Sequence, residues 1–232
     1  ISIKELKDIK TQYEKSDCIL MTGFNRRFSD NVTKTIEHFG TRKSPLLMNY
    51  RINAGELATE NWLLNPLEGG RILGEVCHFI DLLQFISGSY PTKIYATKSP
   101  IMTSKNDSNV IVSIDFKDGS RGSINYVTSG PSRIPKEYLE ILGDNKGAII
   151  DDFSRLDLYD KNSKKTSRMF SNDKGHNQEL ASFVNAIFNN TAPPIPLEDS
   201  IITTLSTLKI LDSLEKSLPI SVDLSELVPP KD

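Results

Sequence analysis

The spacing of apolar and polar residues divides the chain into a first part rich in helices and a second part rich in strands. In the first part, apolar side chains recur every three or four residues, which indicates amphipathic helices, and short continuous apolar runs indicate buried strands. This pattern predicts helices at residues 2–15, 29–40 and 70–87, a buried strand at 17–24 (DCILMTGF), a strand at 44–54 and a loop at 56–70.

After Gly88 the apolar residues alternate with a period of two, which is typical of strands. Turn sequences such as KDGS (117–120) and GDNKG (143–147) separate these strands, and strands joined by tight turns are antiparallel. The predicted strand regions are 91–99, 109–129, 137–150, 155–161 and 165–170, followed by helices at 176–190 and 198–217. The pattern predicts an α+β fold, a large open, mostly antiparallel sheet with helices packed on one face.

The sheet face without helices is predicted to be only partly polar. Ile111, Ser113 and Asp115 alternate with fully apolar neighbours, so the outward face of this strand mixes apolar and polar side chains. A broad, partly apolar sheet face often packs against a copy of itself. We therefore expect a homo-oligomer that assembles through the open sheet face.

Composition narrows the class of protein further. A formal net charge of −2 leaves no basic surface for nucleic acid, and no apolar run reaches the ~18 residues that a membrane span needs. The two cysteines, Cys18 and Cys77, are too few for a disulfide framework, so we expect a cytoplasmic protein. No metal site is predicted. Because the chain begins at Ile1 inside an apparent helix, we expect that an upstream part is missing.

The helix predicted at 70–87 carries the clearest candidate chemistry. One stripe of its surface is apolar and faces the core, with Ile72, Val76, Phe79, Leu83 and Ile86. A second stripe contains Arg71, Glu75, His78 and Asp81, at spacings that make neighbours on a helix. A carboxylate bonded to one ring nitrogen of His78 would fix its tautomer. The alternative is an ordinary buried helix with a polar stripe.

Three stretches together resemble one known family. MTGFNRRFSDNV (21–32), GGRILGEVCHFIDLLQFISG (69–88) and LPISVDL (218–224) are similar to segments of the Gfo/Idh/MocA family of NAD(P)-dependent oxidoreductases. The family has a Rossmann domain followed by a substrate domain with an open antiparallel sheet that forms the oligomer. The resemblance implies that residues 1–24 are the last helix and strand of a Rossmann domain, 25–224 the substrate and oligomerisation domain, and 225–232 a tail.

The rest of the nucleotide-binding apparatus is absent from the sequence. No G-x-G-x-x-G follows a strand, and the lysine of the family's EKP motif has no counterpart. The resemblance therefore implies the C-terminal part of a dehydrogenase that acts on a sugar, polyol or nucleotide-sugar hydroxyl. It implies NAD or NADP in the full-length protein, and no cofactor and no activity on this fragment.

The resemblance also suggests roles for individual residues. His78 matches the family's catalytic histidine, but Gly74 stands where members commonly have an aspartate, and Glu75 is its nearest substitute. Asn25 and Arg26 are candidates for cofactor binding. The alternatives are that one arginine of this segment contacts a carboxylated or phosphorylated substrate, or that it forms an interdomain salt bridge. Candidates for substrate binding, each with a structural alternative such as core packing or helix capping, are Arg51, Asn53, Trp62, Asp81 and His176.

Two other classes of function stay open. One is a non-catalytic oligomerisation scaffold whose pocket has lapsed, which the glycine at position 74 favours. The other is an unrelated α+β binding module. The sequence immediately upstream of Ile1 would distinguish them, because the enzyme requires a G-x-G-x-x-G and an EKP motif there.

Overall fold

Apart from a strand predicted at 17–24, the helices and strands follow the predicted order. The computed structural model describes residues 1–58, 60–64, 70–98, 109–169 and 171–227. The helices are α1 (Ile3–Tyr13), α2 (Asp30–Phe39), α3 (Cys77–Ser87), α4 (His176–Phe188) and α5 (Leu197–Lys216). The strands are β1 (Leu47–Asn53), β2 (Pro91–Lys98), β3 (Val110–Phe116), β4 (Arg121–Val127), β5 (Glu137–Gly143), β6 (Lys146–Asp151), β7 (Arg155–Asp160), β8 (Ser163–Arg168) and β9 (Ile220–Ser221).

The described strands form one sheet in the order β8-β7-β6-β5-β1-β4-β3-β2-β9. Neighbouring strands are antiparallel except for β1 and β4, which pair in parallel. Strands β4 and β5 run in opposite directions, so β1, which lies between them, is parallel to β4 and antiparallel to β5. Helix α3 packs its apolar side against the inner sheet face. The α+β prediction is confirmed. The predicted alternation in β3 also holds, since Val112 and Ile114 are buried whereas Ile111 and Ser113 are exposed.

The buried strand predicted at 17–24 is wrong. These residues are not part of any strand, and most of their side chains are exposed, including Leu20. A strand needs a neighbour for its backbone hydrogen bonds, and none of the described strands lies beside this segment. Helix α1 packs instead on α5, where Leu6 contributes to a small cluster with Ile201 and Leu205.

The helix predicted at 70–87 contains an irregularity that periodicity did not reveal. Residues Ile72–Val76 form a π-helical turn, and the regular α-helix begins only at Cys77 and ends at Gly88, which has a left-handed backbone. A π turn inserts one extra residue into a helix and is frequent at functional sites. The predicted apolar stripe nevertheless faces the core, with Val76, Phe79, Leu83 and Ile86 buried and Ile72 partly buried.

Helix α4 leaves much of its apolar surface uncovered. Leu180, Ile187 and Phe188 are 64%, 50% and 83% exposed, and Val184 is exposed beside them. The amphipathic pattern predicted this apolar face, but no described element packs on it.

Some predictions concern residues outside the described part of the chain. These are Gly69, Ser99 at the end of the predicted strand 91–99, Phe170 at the end of the predicted strand 165–170, residues 59 and 65–68 of the predicted loop, and residues 228–232 of the tail. In the ranges that are described, no helix is both long and apolar enough to cross a membrane.

Candidate active site

A pocket of about 290 Å³ lies where α3, α4 and the segment after residue 22 meet. Five of the residues predicted for the site line it together: Asn25, Arg26, Glu75, His78 and His176. Gly23, Gly74 and Phe79 complete the lining. The pocket is therefore formed from three segments that are far apart in the sequence.

His78 lies in the first turn of α3, with its ring edge-on to Phe24 at 5.6 Å between centroids. Its Nδ1 atom is buried and has no hydrogen-bond partner among the described residues. Burial, followed by the charge of Arg26, lowers the pKa of His78 to about 4, so the imidazole is neutral near pH 7. The expected hydrogen bond from a ring nitrogen of His78 to the carboxylate of Glu75 or Asp81 is not formed by Nδ1, and both carboxylates bind other groups.

Glu75 is held on the pocket wall by three donors. Arg71 donates from Nε to Oε2 at 3.0 Å, Tyr126 donates its hydroxyl to the same oxygen, and Lys136 Nζ lies 3.2 Å from Oε1. Burial opposes ionisation of Glu75, but the Tyr126 hydrogen bond and the charges of Lys136 and Arg71 outweigh it and lower the pKa. Glu75 is therefore an ionised carboxylate whose oxygens are already in use.

Asp81, predicted to bind substrate, does not line the pocket. It is fully buried and accepts two hydrogen bonds from Arg27, at 2.8 Å from Nε and 2.5 Å from Nη2. Arg27 also donates to Asp199 of α5 at 2.6 Å. One helical turn beyond His78, the Asp81 side chain points into the contact between α3, α5 and the 25–28 turn, where a buried guanidinium needs a counter-charge.

Asn25 and Arg26 lie on a 3₁₀ turn, Asn25–Phe28, and their polar groups are bound within the chain. Asn25 donates to the carbonyl of Lys174 at 2.8 Å. Arg26 donates to Glu137 from Nε at 2.8 Å and from Nη2 at 2.9 Å, and its guanidinium lies over the Phe79 ring. These contacts fix the two residues in the pocket wall.

Glu137 and Lys174 are site residues that the sequence did not reveal. Glu137 is 1% exposed and accepts hydrogen bonds from Arg26, from Tyr50 and, at 2.6 Å, from Lys174. Burial acts to raise its pKa, but the charges and hydrogen bonds of Arg26 and Lys174 outweigh this and lower it to about 2. One signal was available: in β5, Glu137 shares a face with the buried Leu139 and Ile141.

His176 is the first residue of α4 and is exposed at the pocket. The residue before it, Gly175, is the N-cap of α4 and no side chain caps the helix there. The helix-capping role considered for His176 is therefore not what the structure shows. The positive end of the α4 dipole opens toward the pocket beside His176.

Arg51, Asn53 and Trp62 do not line the pocket. Asn53 donates from Nδ2 to the carbonyls of Pro131 and Ile134 at 2.9 and 3.0 Å, and Arg51 donates to the carbonyl of Pro135 at 2.5 Å. Both residues therefore hold the loop before β5. Trp62 is 59% exposed on a 3₁₀ turn next to the pocket-lining Gly74.

The glycine at position 74 is explained by close packing. A Cβ atom there would overlap Cδ2 of Leu63 and lie 3.5 Å from Cη2 of Trp62. An aspartate four residues before His78 therefore has no room unless Leu63 moves. The π turn at Ile72–Val76 instead leaves Glu75 on the pocket side.

The residues present do not fit a whole dinucleotide. The glycine-rich turn that cradles a pyrophosphate is missing from the sequence, and Arg26 and Asn25 are bound to Glu137 and Lys174. Within the described ranges, no cluster of histidine, cysteine and acidic residues is suited to a metal ion.

The chain is similar in sequence or in fold to several oxidoreductases. Myo-inositol 2-dehydrogenase of Thermotoga maritima is 26% identical over 246 residues, which cover 98% of this chain and 71% of that protein. An NAD binding oxidoreductase from Klebsiella pneumoniae has a TM-score of 0.81 at 16% identity, covering 96% of this chain and 71% of that one. A levoglucosan dehydrogenase in complex with NADH and L-sorbose has a TM-score of 0.78 at 16% identity, with 96% and 70% covered.

A protein-family model matches the middle of the chain. Residues 45–149, from just before β1 into β6, match the model of the GFO/IDH/MocA C-terminal domain. This region includes the sheet strands β1 to β5 and all of α3 with His78. This region of the chain is therefore similar to the C-terminal domain of the Gfo/Idh/MocA family.

Proposed function

We propose that this chain is the substrate-binding part of an NAD(P)-dependent oxidoreductase that acts on a hydroxyl group of a sugar, polyol or nucleotide sugar. The observation that carries the proposal is the pocket in which His78, Glu75, Arg26, Asn25 and His176 meet. The similarity to myo-inositol and levoglucosan dehydrogenases supports the same reaction class and a sugar-like substrate.

His78 is the residue proposed to move the proton. Oxidation of a secondary alcohol to a ketone removes a hydride from the carbon, which bound NAD(P)+ would accept, and a proton from the hydroxyl oxygen, which a neutral imidazole can accept. Burial keeps His78 neutral, and its Nδ1 is enclosed, so Nε2 is the nitrogen available to a ligand. Arg26, in the same wall, stabilises the negative charge that develops on that oxygen.

Glu75 is proposed to position other residues of the pocket, and not to act in proton transfer beside His78 as its place in the sequence suggested. Its two oxygens are bound by Arg71, Tyr126 and Lys136, so it is not free to take a substrate proton. We assign it to positioning: it fixes Lys136 and the start of α3 around the pocket.

The dinucleotide is proposed to bind mainly outside these 232 residues, and this chain by itself is proposed to be inactive. The lack of a glycine-rich turn and the bound state of Arg26 and Asn25 support this. So does the exposed apolar face of α4, Leu180, Ile187 and Phe188, which begins at the pocket and is a suitable surface for another domain.

A histidine substitution tests the catalytic proposal. In the form of the protein that carries a dinucleotide-binding domain, assayed with NAD+ and NADP+ on a panel of polyols and sugars, His78→Ala is expected to lower kcat/KM by about 100-fold or more, the usual loss for a general acid or base. His38→Ala is the matched control, because His38 binds the carbonyl of Tyr159 away from the pocket. Unchanged kcat/KM in His78→Ala would reject the mechanism.

The scaffold alternative predicts a different result. A lapsed pocket gives no turnover on any member of the panel in the wild-type protein, whatever residue stands at position 78. The crowding of Gly74 by Leu63 is the observation that favours this alternative.

We also propose that the chain forms a homo-oligomer through the open sheet face. Leu47, Ile111 and Leu142 lie on this face and are 49%, 56% and 42% exposed. Sedimentation of the wild-type chain is expected to show a dimer or larger species, and Ile111→Asp is expected to shift it toward the monomer. A wild-type chain that sediments as a monomer at high concentration would contradict the proposal.

A further inference from the structure

Two carboxylates at the pocket are each shared by two cations. Glu75 lies between Arg71, at 3.0 Å, and Lys136, at 3.2 Å. Glu137 lies between Arg26, at 2.8 Å, and Lys174, at 2.6 Å. Each group of three therefore has one more positive charge than negative charge.

The two groups differ in how this extra charge is balanced. Lys174 has a second carboxylate, Asp152, at 3.8 Å. Lys136 has no ion-pair partner other than Glu75 among the described residues, and Glu75 is already neutralised by Arg71, which is 3% exposed. The unbalanced positive charge at the pocket therefore lies on Lys136.

The backbone holds Lys136 firmly at this position. The carbonyl of Lys136 accepts a hydrogen bond from the backbone N–H of Asn53 at 2.7 Å, and Arg51 binds the carbonyl of Pro135. The side chain is 39% exposed, and Glu75, which it contacts, lines the pocket. The ammonium group therefore contacts a carboxylate that lines the pocket and has hydrogen-bond donors left for a ligand.

The opposite wall also favours negative charge. The N-terminus of α4, thirteen residues long and without a side-chain cap, opens at His176. Glu179, in the first turn of α4, is a carboxyl group on that side. Burial and the neighbouring Asp81 raise the pKa of Glu179 above its ordinary value.

We propose that the substrate of this site is an anionic sugar or polyol, one that carries a carboxylate or phosphate group, and that Lys136 binds that group. The inference rests on the proposed function and makes its substrate class more specific. It also assigns a structural role to Arg51 and Asn53, because their hydrogen bonds hold the backbone of residues 135 and 136 in place.

Binding to the 232-residue chain tests the inference without a cofactor. Calorimetry at low salt with D-glucuronate, D-glucose 6-phosphate and D-glucose is expected to show that at least one anionic sugar binds about tenfold more tightly than glucose, the gain typical of one charge-assisted hydrogen bond. Preference for glucuronate identifies a carboxylate as the recognised group, and preference for the phosphate identifies a phosphate.

Lys136→Met is expected to abolish this preference, because the anionic sugars then lose the ammonium group that distinguishes them from glucose. Lys161→Met, in the exposed turn between β7 and β8, removes the same charge far from the pocket and is expected to keep the preference. The inference is overturned if neither anion binds, if glucose binds as tightly as both anions, or if the two variants have equal effects. In those cases turnover of neutral polyols that depends on His78 would still support the oxidoreductase.

Discussion

Replacing Gly175 by alanine is expected to destabilise the folded chain by about 3 kcal/mol, because the new methyl group has no space. A Cβ atom at this position would lie within 2.7 Å of three backbone atoms, the carbonyl oxygen of Asn25, the carbonyl carbon of Phe28 and the nitrogen of Ser29. Backbone atoms of a tight turn cannot move aside as the end of a side chain can. The backbone of Gly175 is also left-handed, with φ at +85°.

Urea unfolding measures this loss, and Gly88→Ala is the matched control. Gly88 is left-handed too, with φ at +58°, but a Cβ atom there meets nothing within 4 Å. The control therefore isolates the backbone cost, about 1 kcal/mol. Equal destabilisation of the two variants would show that the contact between Gly175 and the 25–29 backbone is not close-packed in solution.

The same contact sets the width of the pocket. Gly175 precedes His176, and the backbone that it touches carries Asn25, so the two walls of the pocket approach each other at this glycine. Ser29 also donates to the carbonyl of Asp173 at 2.9 Å, which ties the same two segments together. A larger residue at position 175 would therefore separate the walls as well as lower stability.

The sequence predicted the parts of the fold that depend on local periodicity. The buried face of β3 and the apolar stripe of residues 72–86 were both correct, because alternation and helical spacing report directly which side of an element is apolar. The strand predicted at 17–24 was wrong because it depended on local apolar character alone. An apolar run shows that a segment can be buried, but it does not show that a neighbouring strand is present to pair with it.

The sequence predicted which residues meet at the candidate site better than it predicted their hydrogen bonds and ion pairs. The structure brings His78, Glu75, Asn25, Arg26 and His176 to one pocket, whereas their catalytic and binding roles stay predictions. The sequence did not show which charges pair, since the hydrogen-bonded partners are 54 residues apart for Arg27 and Asp81 and 111 apart for Arg26 and Glu137. Helical spacing placed Asp81 near His78 but gave no information on a guanidinium from a distant turn.

Replacing Glu137 by glutamine is expected to destabilise the chain by about 3 kcal/mol at pH 7, the usual cost of removing one partner from a buried ion pair. The substitution keeps the size of the side chain but leaves Arg26, which is 8% exposed, and Lys174 without their shared carboxylate. Glu140→Gln is the matched control, since Glu140 lies on the outward face of the same strand, and it is expected to change stability by less than about 0.5 kcal/mol.

The destabilisation caused by Glu137→Gln should become smaller as the pH falls. The folded-state pKa of Glu137, about 2, lies below its ordinary value of 4.5, so the unfolded chain binds the proton more readily between these values. The contribution of Glu137 is therefore complete above about pH 5 and falls as the pH drops through 4.5 toward 2. Urea unfolding of both proteins from pH 7 to pH 3 is expected to show the difference in unfolding free energy shrinking on the acid side. A difference that stays constant across this range would mean that Glu137 stabilises the fold by packing rather than by its charge.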